Sequence, residues 1–403
     1  MLTNAYIPYK GYFSSPFCRW QGSLANEHGV TLAGATAGRW FADKNWDPKM
    51  FDYLIFGMTI GQRQWFYASP WAAALMGATG IPGVTLSQAC TTSATCIFQA
   101  AMGVENGLYQ NCFTLMADRC SNGPHTIWPN PNGPGAEVIS ENWLMDNFNS
   151  DPSPGAGKRM IETAENVGKE GGFTKEQCDD LTFRRYEQYL MALDNDRAFQ
   201  KEYMFPAEIR LSRKKTKLVE EDEGVMPTTK EGLAALRPMI PDGILTFGSQ
   251  THPADGNCGL TVTTMDKAKE LSADPSVTIQ VLSYGYSRER PGYMAAAPVP
   301  ASRMALENAG LKIEDISTIK THNPFIVNDL YFAKEMGVDP FGTDDLAFNN
   351  YGCSMIYGHP QGPTAGRIII EGIEETVAKG GGYFLWGGCA AGDTGGAIVI
   401  KVG

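Results

Sequence analysis

Four windows of the chain hold residues that can do chemistry together. In Gly83-Val84-Thr85-Leu86-Ser87-Gln88-Ala89-Cys90-Thr91-Thr92-Ser93-Ala94 an apolar run reaches a turn, and a small-residue helix starts behind one cysteine. A thiol at a helix N-terminus meets unpaired backbone N–H groups and the positive end of the dipole, which favours thiolate. The same N–H groups can hold an oxyanion when the sulfur attacks a carbonyl. The competing reading is a structural cysteine, since free Cys is among the most buried residue types. In the second window, Gly358-His359-Pro360-Gln361-Gly362, glycine and proline put a histidine on a loop that leads into a helix from Thr364 to Lys379. The third, Gly387-Gly388-Cys389-Ala390-Ala391-Gly392, surrounds a second cysteine with small residues that let backbone approach a reacting atom. No lysine follows there, as a phosphate-cradling P-loop would need. The fourth, Thr321-His322-Asn323-Pro324-Phe325, ends an expected strand, where α/β folds collect ligand-facing residues.

The elements that must position these groups follow a layered α/β order. Phe51 to Gly57, Gly83 to Leu86 and Asn111 to Ala117 read as strands, with a helix from Thr92 to Gly107 between the last two. The order resumes after Gly248, with strands at Thr278–Leu282, Ser317–Thr321, Gly382–Gly387 and Gly396–Val402 and a helix at Ala301–Ala309. The stretch between reads as an insertion. Trp128 to Gly135 is too rich in proline and glycine for a regular element, and two amphipathic helices follow at Arg159–Glu170 and Thr174–Asn195. A basic run (Arg213, Lys214, Lys215, Lys217) then precedes an acidic one. No internal repeat is visible, although both ends share one element order.

Composition narrows the function classes. The 403 residues include 45 glycines and carry a net charge of -11, which argues against general nucleic-acid binding. Nine cysteines without a CxxC pair indicate neither a zinc ribbon nor a thioredoxin-type site. No apolar run reaches the roughly 18 residues of a membrane span, and Met1-Leu2-Thr3-Asn4 opens no secretory leader. A cytoplasmic protein with reduced thiols and no membrane partner is the expectation.

Taken in order and at their spacing, the windows resemble the thiolase family over nearly the full length. Gln88-Ala89-Cys90 is similar to the family's nucleophile block, Gly358-His359-Pro360-Gln361-Gly362 to its GHPxG block, and Gly388-Cys389 to its C-terminal CxG block. The resemblance implies two βαβαβαββ halves in a layered αβαβα core. The N-terminal half would be 1–118 plus 243–270, an inserted CoA-binding loop domain 119–242, and the C-terminal half 271–403. It implies that Cys90 takes the acyl group as a thioester, His359 takes the Cys90 proton, and Cys389 is the acid/base. Cleaving a carbon–carbon bond β to a thioester needs such a soft nucleophile and a separate proton shuttle. Coenzyme A is then a substrate, with no metal in this chain, and the assembly is a homodimer or larger.

Several residues depart from the family pattern. His322 stands first in a block that often reads Asn-Glu-Ala-Phe, as in the sterol-carrier-type and archaeal thiolases, whose Asp is here Asn323. His322 is an oxyanion donor by this resemblance, and Asn323 alters the expected imidazole partner. Ala391 replaces the glycine of CxG, where its N–H and that of Cys90 would form an oxyanion hole. Arg213, Lys214 and Lys215 are candidates for the CoA phosphates, and Thr251 and His252 stand where the family has a Ser-Gly against pantetheine. The His-first block and the aromatics Trp65, Phe66, Tyr67, Trp71, Trp128, Trp143 and Phe148 are similar to the thiolases that cleave benzoylsuccinyl-CoA in anaerobic toluene degradation. That implies benzoyl-CoA and succinyl-CoA as products and a small zinc-binding OB-fold (DUF35-like) partner subunit. An acetoacetyl-CoA thiolase and a catalytically silent scaffold subunit are the alternatives.

Overall fold

The computed structural model describes residues 1–143, 146, 159–342 and 347–403. Asn111–Arg119 shows how the layers arise from sequence. The strand is buried on both faces, and alternate side chains part company: Phe113, Leu115 and Ala117 enter an outer core, while Cys112 and Met116 enter the central one. Its sheet runs in the order Tyr12–Ser14, Ala254–Thr263, Asn111–Arg119, Tyr53–Gly57, Gly83–Leu86, with two antiparallel pairings followed by two parallel ones. A second sheet runs Ile279–Arg288, Thr394–Val402, Gly382–Ala390, Ile316–His322, Ala347–Phe348 with the same succession of pairings. The chain therefore contains a structural duplication that its residue types conceal.

Two helices fill the space between the sheets. Thr92–Glu105 and Thr364–Ala378 pack on each other and on strands of both sheets. The second is buried around its whole circumference as far as Thr376, as a helix between two sheets must be. Gly366 makes the crossing close, because a Cβ there would lie 2.5 Å from Cys258 Sγ and 3.1 Å from Ser93 Oγ. Gly29–Asp43 and Ala68–Leu75 cover the outer face of the first sheet, and Pro298–Ala309 and Ile326–Met336 that of the second. These five layers are the expected αβαβα architecture.

Between Arg119 and Ala254 the chain leaves the sheets. Trp128 and Pro129, read as irregular, instead end a strand, His125–Pro129, that pairs antiparallel with Val138–Asn142. Proline is tolerated there because it sits at the end of a two-stranded edge, where a missing donor costs no ladder. The basic run is a second hairpin, Ala207–Ser212 with Lys215–Val219, and Arg213 and Lys214 form its tip. The helices lie at Met160–Gly171 and Lys175–Lys201, the latter interrupted by non-helical backbone at Asp194–Arg197. The insertion is tied to the central layer by a buried ion pair: Arg367 donates to both Asp222 oxygens at 2.6 and 2.8 Å and to Glu371 at 3.0 Å. Among the described residues no helix is long and apolar enough to cross a membrane.

Candidate active site

The carboxyl ends of parallel strands and the starts of both central helices meet at one place. Gly83–Leu86 leads into a single 3-10 turn, Ala89–Thr91, from which Thr92–Glu105 continues. Ala89 takes a left-handed φ of 44°, a strained position for a side-chain-bearing residue, and so turns Cys90 outward at the helix start. Thr92 Oγ1 fixes this corner by accepting the Gln88 N–H at 2.8 Å and donating to the Ala89 carbonyl at 2.7 Å. On the other side, Gly358 adopts a φ of 96° with its α-carbon against His252 and Ala254, where a Cβ would meet atoms at 2.7 and 2.9 Å. That close approach presents His359 just ahead of the second central helix.

His359 Nε2 lies 3.2 Å from Cys90 Sγ, and its Nδ1 lies 2.6 Å from Thr364 Oγ1. Gln361 Oε1 lies 3.6 Å from the same sulfur. Burial pushes the Cys90 thiol up to about 12, against the pull of two backbone N–H groups, Ala391's and its own, and the Asp118 charge adds to the rise. Burial also holds the His359 imidazole well below its ordinary value, helped by His322 and His252. At neutral pH the pair is thus thiol and neutral imidazole, not thiolate and imidazolium. Asp118 secures the surrounding loops by accepting from the backbone of Thr59, Ile60 and Gly362.

His322 ends its strand directly beside Gly388 of the neighbouring strand and lies against His359, with ring centroids 4.3 Å apart and planes tilted by 37°. Burial alone lowers its imidazole to about 3. Its Nδ1 contacts Ser354 Oγ at 2.8 Å, while its Nε2 is buried without a hydrogen-bond partner among the described residues. The imidazole's partner is therefore Ser354, not residue 323. Asn323 works one step further out: its Oδ1 lies 3.2 Å from Ser354 Oγ and accepts from the Met355 N–H, and its Nδ2 donates to Asp329 at 2.8 Å. An amide suits that position because the adjacent Asp329 carboxylate would repel a second carboxylate.

Cys389 is fully buried, and burial, with Cys90 as the next cause, raises its thiol well above the ordinary value. Asn328 donates to its sulfur at 3.3 Å. The direction of that amide is set, because the Phe325 N–H donates to the Asn328 oxygen at 3.2 Å. A cavity of about 270 Å³ opens onto Cys90 and His359, lined on its apolar side by Trp143, Met160, Met294 and Phe325 and including Ala391 and Thr251. Gln250 joins it to a groove of about 380 Å³ where His252 lies with Met226 and Thr228.

The structure thus gathers Cys90, His359, His322, Cys389, Ala391 and Thr251, with His252 at the adjoining groove. It does not bring Arg213, Lys214 and Lys215 to the cavity; they line a separate surface depression on their exposed hairpin. Of the aromatics, Trp143 lines the cavity, Trp65, Phe66, Tyr67 and Trp128 are exposed, Trp71 packs on His28, and Phe148 lies outside the described residues. Sequence reading missed Ser354, Thr364 and Asn328. Thr364 and Ser354, each five residues from His359, carry hydroxyls at a loop end, a weak signal; Asn328 gives none beyond its place in a first helical turn.

Comparison with known proteins agrees with this geometry. The description of the thiolase N-terminal domain matches residues 13–266 and that of the thiolase C-terminal domain residues 276–402. The acetyl-CoA acetyltransferase of Escherichia coli (strain K12) is 27% identical over 94% of this chain and 95% of that protein. The human mitochondrial 3-ketoacyl-CoA thiolase is 28% identical over 60% of this chain and 59% of that protein. In structure, the Bacillus anthracis acetyl-CoA acetyltransferase superposes with a TM-score of 0.88 at 24% identity, covering 100% of this chain and 99% of the other. The human mitochondrial enzyme in complex with CoA gives 0.85 at 23%, covering 99% and 98%. With both domain descriptions matched along almost its entire length, the chain belongs to the thiolase family, the CoA-dependent acyltransferases.

Proposed function

We propose that the protein cleaves a 3-oxoacyl-CoA by thiolysis through an acyl-enzyme on Cys90. The observation that carries this reading is the 3.2 Å contact between Cys90 Sγ and His359 Nε2, with the Ala391 N–H directed at the same sulfur. As the sulfur attacks the 3-oxo carbonyl, its proton passes to His359. The N–H groups of Cys90 and Ala391 receive the oxyanion. Collapse breaks the C2–C3 bond, leaves the acyl group on Cys90 and gives the departing CoA ester enolate a proton from Cys389. His322 donates from Nε2 to that enolate oxygen, which gives a partner to a nitrogen that lacks one. Incoming CoA then yields its thiol proton to Cys389 and attacks the thioester, and Cys90 recovers its proton from His359.

The acyl part is bulky and aromatic in this reading, with benzoylsuccinyl-CoA the substrate and benzoyl-CoA and succinyl-CoA the products. Trp143, Met160, Met294 and Phe325 support it, as apolar walls wider than a two-carbon acyl group needs. The second reading is acetoacetyl-CoA thiolysis. It is favoured by the absence of any Arg or Lys from the cavity lining among the described residues, since the succinyl carboxylate calls for one. CoA enters along the groove past Gln250 and His252, and Arg213, Lys214 and Lys215 take its phosphates at long range.

The proposed organisation keeps a loop domain over residues 119–242 inserted in the N-terminal half, in a cytoplasmic homodimer. The edge strand Gly83–Leu86 with exposed Trp65, Phe66, Tyr67 and Val84 suits burial against a second copy. Exposed Ile127, Trp128, Val138 and Ile139 on the insertion hairpin offer an apolar surface to a small zinc-binding OB-fold subunit.

Thiolysis of acetoacetyl-CoA and benzoylsuccinyl-CoA, measured side by side with and without the co-expressed partner, tests substrate and partner together. Cys90→Ser must abolish acyl-enzyme detected by mass, and Cys389→Ala must keep it while stopping C–C cleavage. Activity of Cys90→Ser near the parent rate sinks the mechanism; no activity on either ester with Cys90 unacylated favours a silent scaffold. Arg213→Glu with Lys214→Glu should raise KM for CoA several-fold at unchanged kcat, and an unchanged KM removes the hairpin from CoA binding.

A further inference from the structure

The groups that surround Cys90 have a second chemical property besides nucleophilic catalysis. Cys90 Sγ and one ring nitrogen each of His322 and His359 lie within 4.8 Å of one another. We propose that these three side chains form a site for a thiophilic divalent cation, Zn²⁺ foremost, whose binding reversibly blocks the nucleophile. The site goes beyond the acyl-transfer reading and does not depend on which acyl chain is cleaved.

Donor type, geometry and support agree. Zinc bonds of about 2.3 Å to sulfur and about 2.0–2.1 Å to imidazole nitrogen place tetrahedral donors roughly 3.3–3.6 Å apart. The Cys90–His359 contact at 3.2 Å is already near that, and the remaining donors, within 4.8 Å, need to close by at most about 1.5 Å. Metal-bound imidazoles are held through their other nitrogen by an oxygen acceptor. Both rings have this support already, His359 Nδ1 from Thr364 Oγ1 at 2.6 Å and His322 Nδ1 from Ser354 Oγ at 2.8 Å. A further sign of a ligand is His322 Nε2, which is completely buried and has no hydrogen-bond partner among the described residues. Three protein donors leave a fourth position toward the cavity for water or a ligand thiolate, the coordination of an open zinc site.

Proton balance is simple. The Cys90 S–H bond breaks, a Zn–S bond forms, and one proton leaves to solvent. His322 binds through Nε2 in the tautomer whose Nδ1–H donates to Ser354, whose hydroxyl in turn donates to Asn323 Oδ1 at 3.2 Å. His359 keeps the tautomer it has. Both imidazoles coordinate as neutral ligands, so the thiol proton is the one released.

The test uses the full-length, chelator-treated protein with Zn²⁺ and Co²⁺ as probes. Expected are one Zn²⁺ per chain by equilibrium dialysis, one proton released per ion, and at least tenfold slower iodoacetamide labelling of Cys90 by mass, reversed by chelator. Co²⁺ should give the thiolate-to-metal charge-transfer band and the intense visible bands of a tetrahedral site. His322→Asn should remove the protection, and Ser354→Ala, which touches only the outer support, should weaken binding by roughly 10- to 100-fold. The proposal is overturned if Zn²⁺ leaves Cys90 labelling unchanged, if Co²⁺ shows no thiolate band, or if His322→Asn and Ser354→Ala both bind as the parent does. Acylation of Cys90 by acyl-CoA in metal-free buffer reports the catalytic reading separately.

Discussion

Replacing Ser354 by alanine tests whether His322 is tuned by its neighbour. The hydroxyl is buried and contacts His322 Nδ1 at 2.8 Å, Asn323 Oδ1 at 3.2 Å and the Asn323 N–H at 3.3 Å. When it donates to Nδ1, the imidazole proton is kept on Nε2, where it can meet an enolate oxygen. Alanine removes the Asn323 contacts and, at His322, one neutral hydrogen bond, whose loss has a net effect on the imidazole of about 1 kcal/mol. In rate that is about fivefold, read in kcat with little change in KM, since the substrate ground state gains no contact from Ser354. Deleting the donor itself in His322→Ala should cost roughly 10²–10³ in kcat, the usual effect of losing one oxyanion donor. The decisive measurement is the double variant, assayed by steady-state thiolysis. If Ser354 acts through His322, adding Ser354→Ala to His322→Ala changes kcat by less than twofold. Multiplying losses in the double variant, or a parent-like kcat in Ser354→Ala, would refute the reasoning.

Two further outcomes follow from buried charge. His322 has a folded pKa of about 3, below the ordinary histidine value, so its contribution to stability is present above about 6.5 and lost as pH falls toward 3. Urea unfolding should show stability declining by up to roughly 1.4 kcal/mol per pH unit over that window, with a shallower slope in His322→Gln. Asp222→Asn leaves the buried Arg367 with Glu371 as its remaining anion and should lower unfolding free energy by about 3 kcal/mol in denaturant titrations, with the transition still cooperative.

The chemistry was legible where it depends on backbone punctuation. Cys90 lies between a strand-ending run and a small-residue helix, His359 between Gly358 and Pro360, and Cys389 among glycines and alanines, so each announces itself within a few residues. The layered fold was legible for the same reason, from strands and helices that alternate. What stayed hidden depends on chain segments meeting in space. Ser354 reaches His322 across 32 positions and Asn328 reaches Cys389 across 61, and no local pattern marks either. The duplication was legible only as a shared element order and through the family resemblance, because sheet order is carried by pairing rather than by residue type. The basic run is ambiguous for its own reason: a hairpin tip collects cations because it is solvated, whatever it binds.

The reactive contact itself rests on how closely the two central helices approach. Cys90 stands at the start of one and His359 just ahead of the other, and Ser93 donates to the Gly362 carbonyl between them. Gly366 permits the approach, since a Cβ there would meet Cys258 Sγ at 2.5 Å and both Met116 Cε and Ser93 Oγ at 3.1 Å. Gly366→Ala should therefore push the helices apart, costing about 1–3 kcal/mol in stability through overpacking. Its effect on kcat should be larger than the lost stability suggests, because a displacement near 1 Å at a reacting pair can cost about a hundredfold. Cys258→Ala removes the sulfur that the new methyl would strike, so the double variant should recover most of the activity. A Gly366→Ala enzyme that loses stability yet keeps the parent kcat would show that the Cys90–His359 contact is held by the loops at Ala89 and Gly358 and not by the helices behind them.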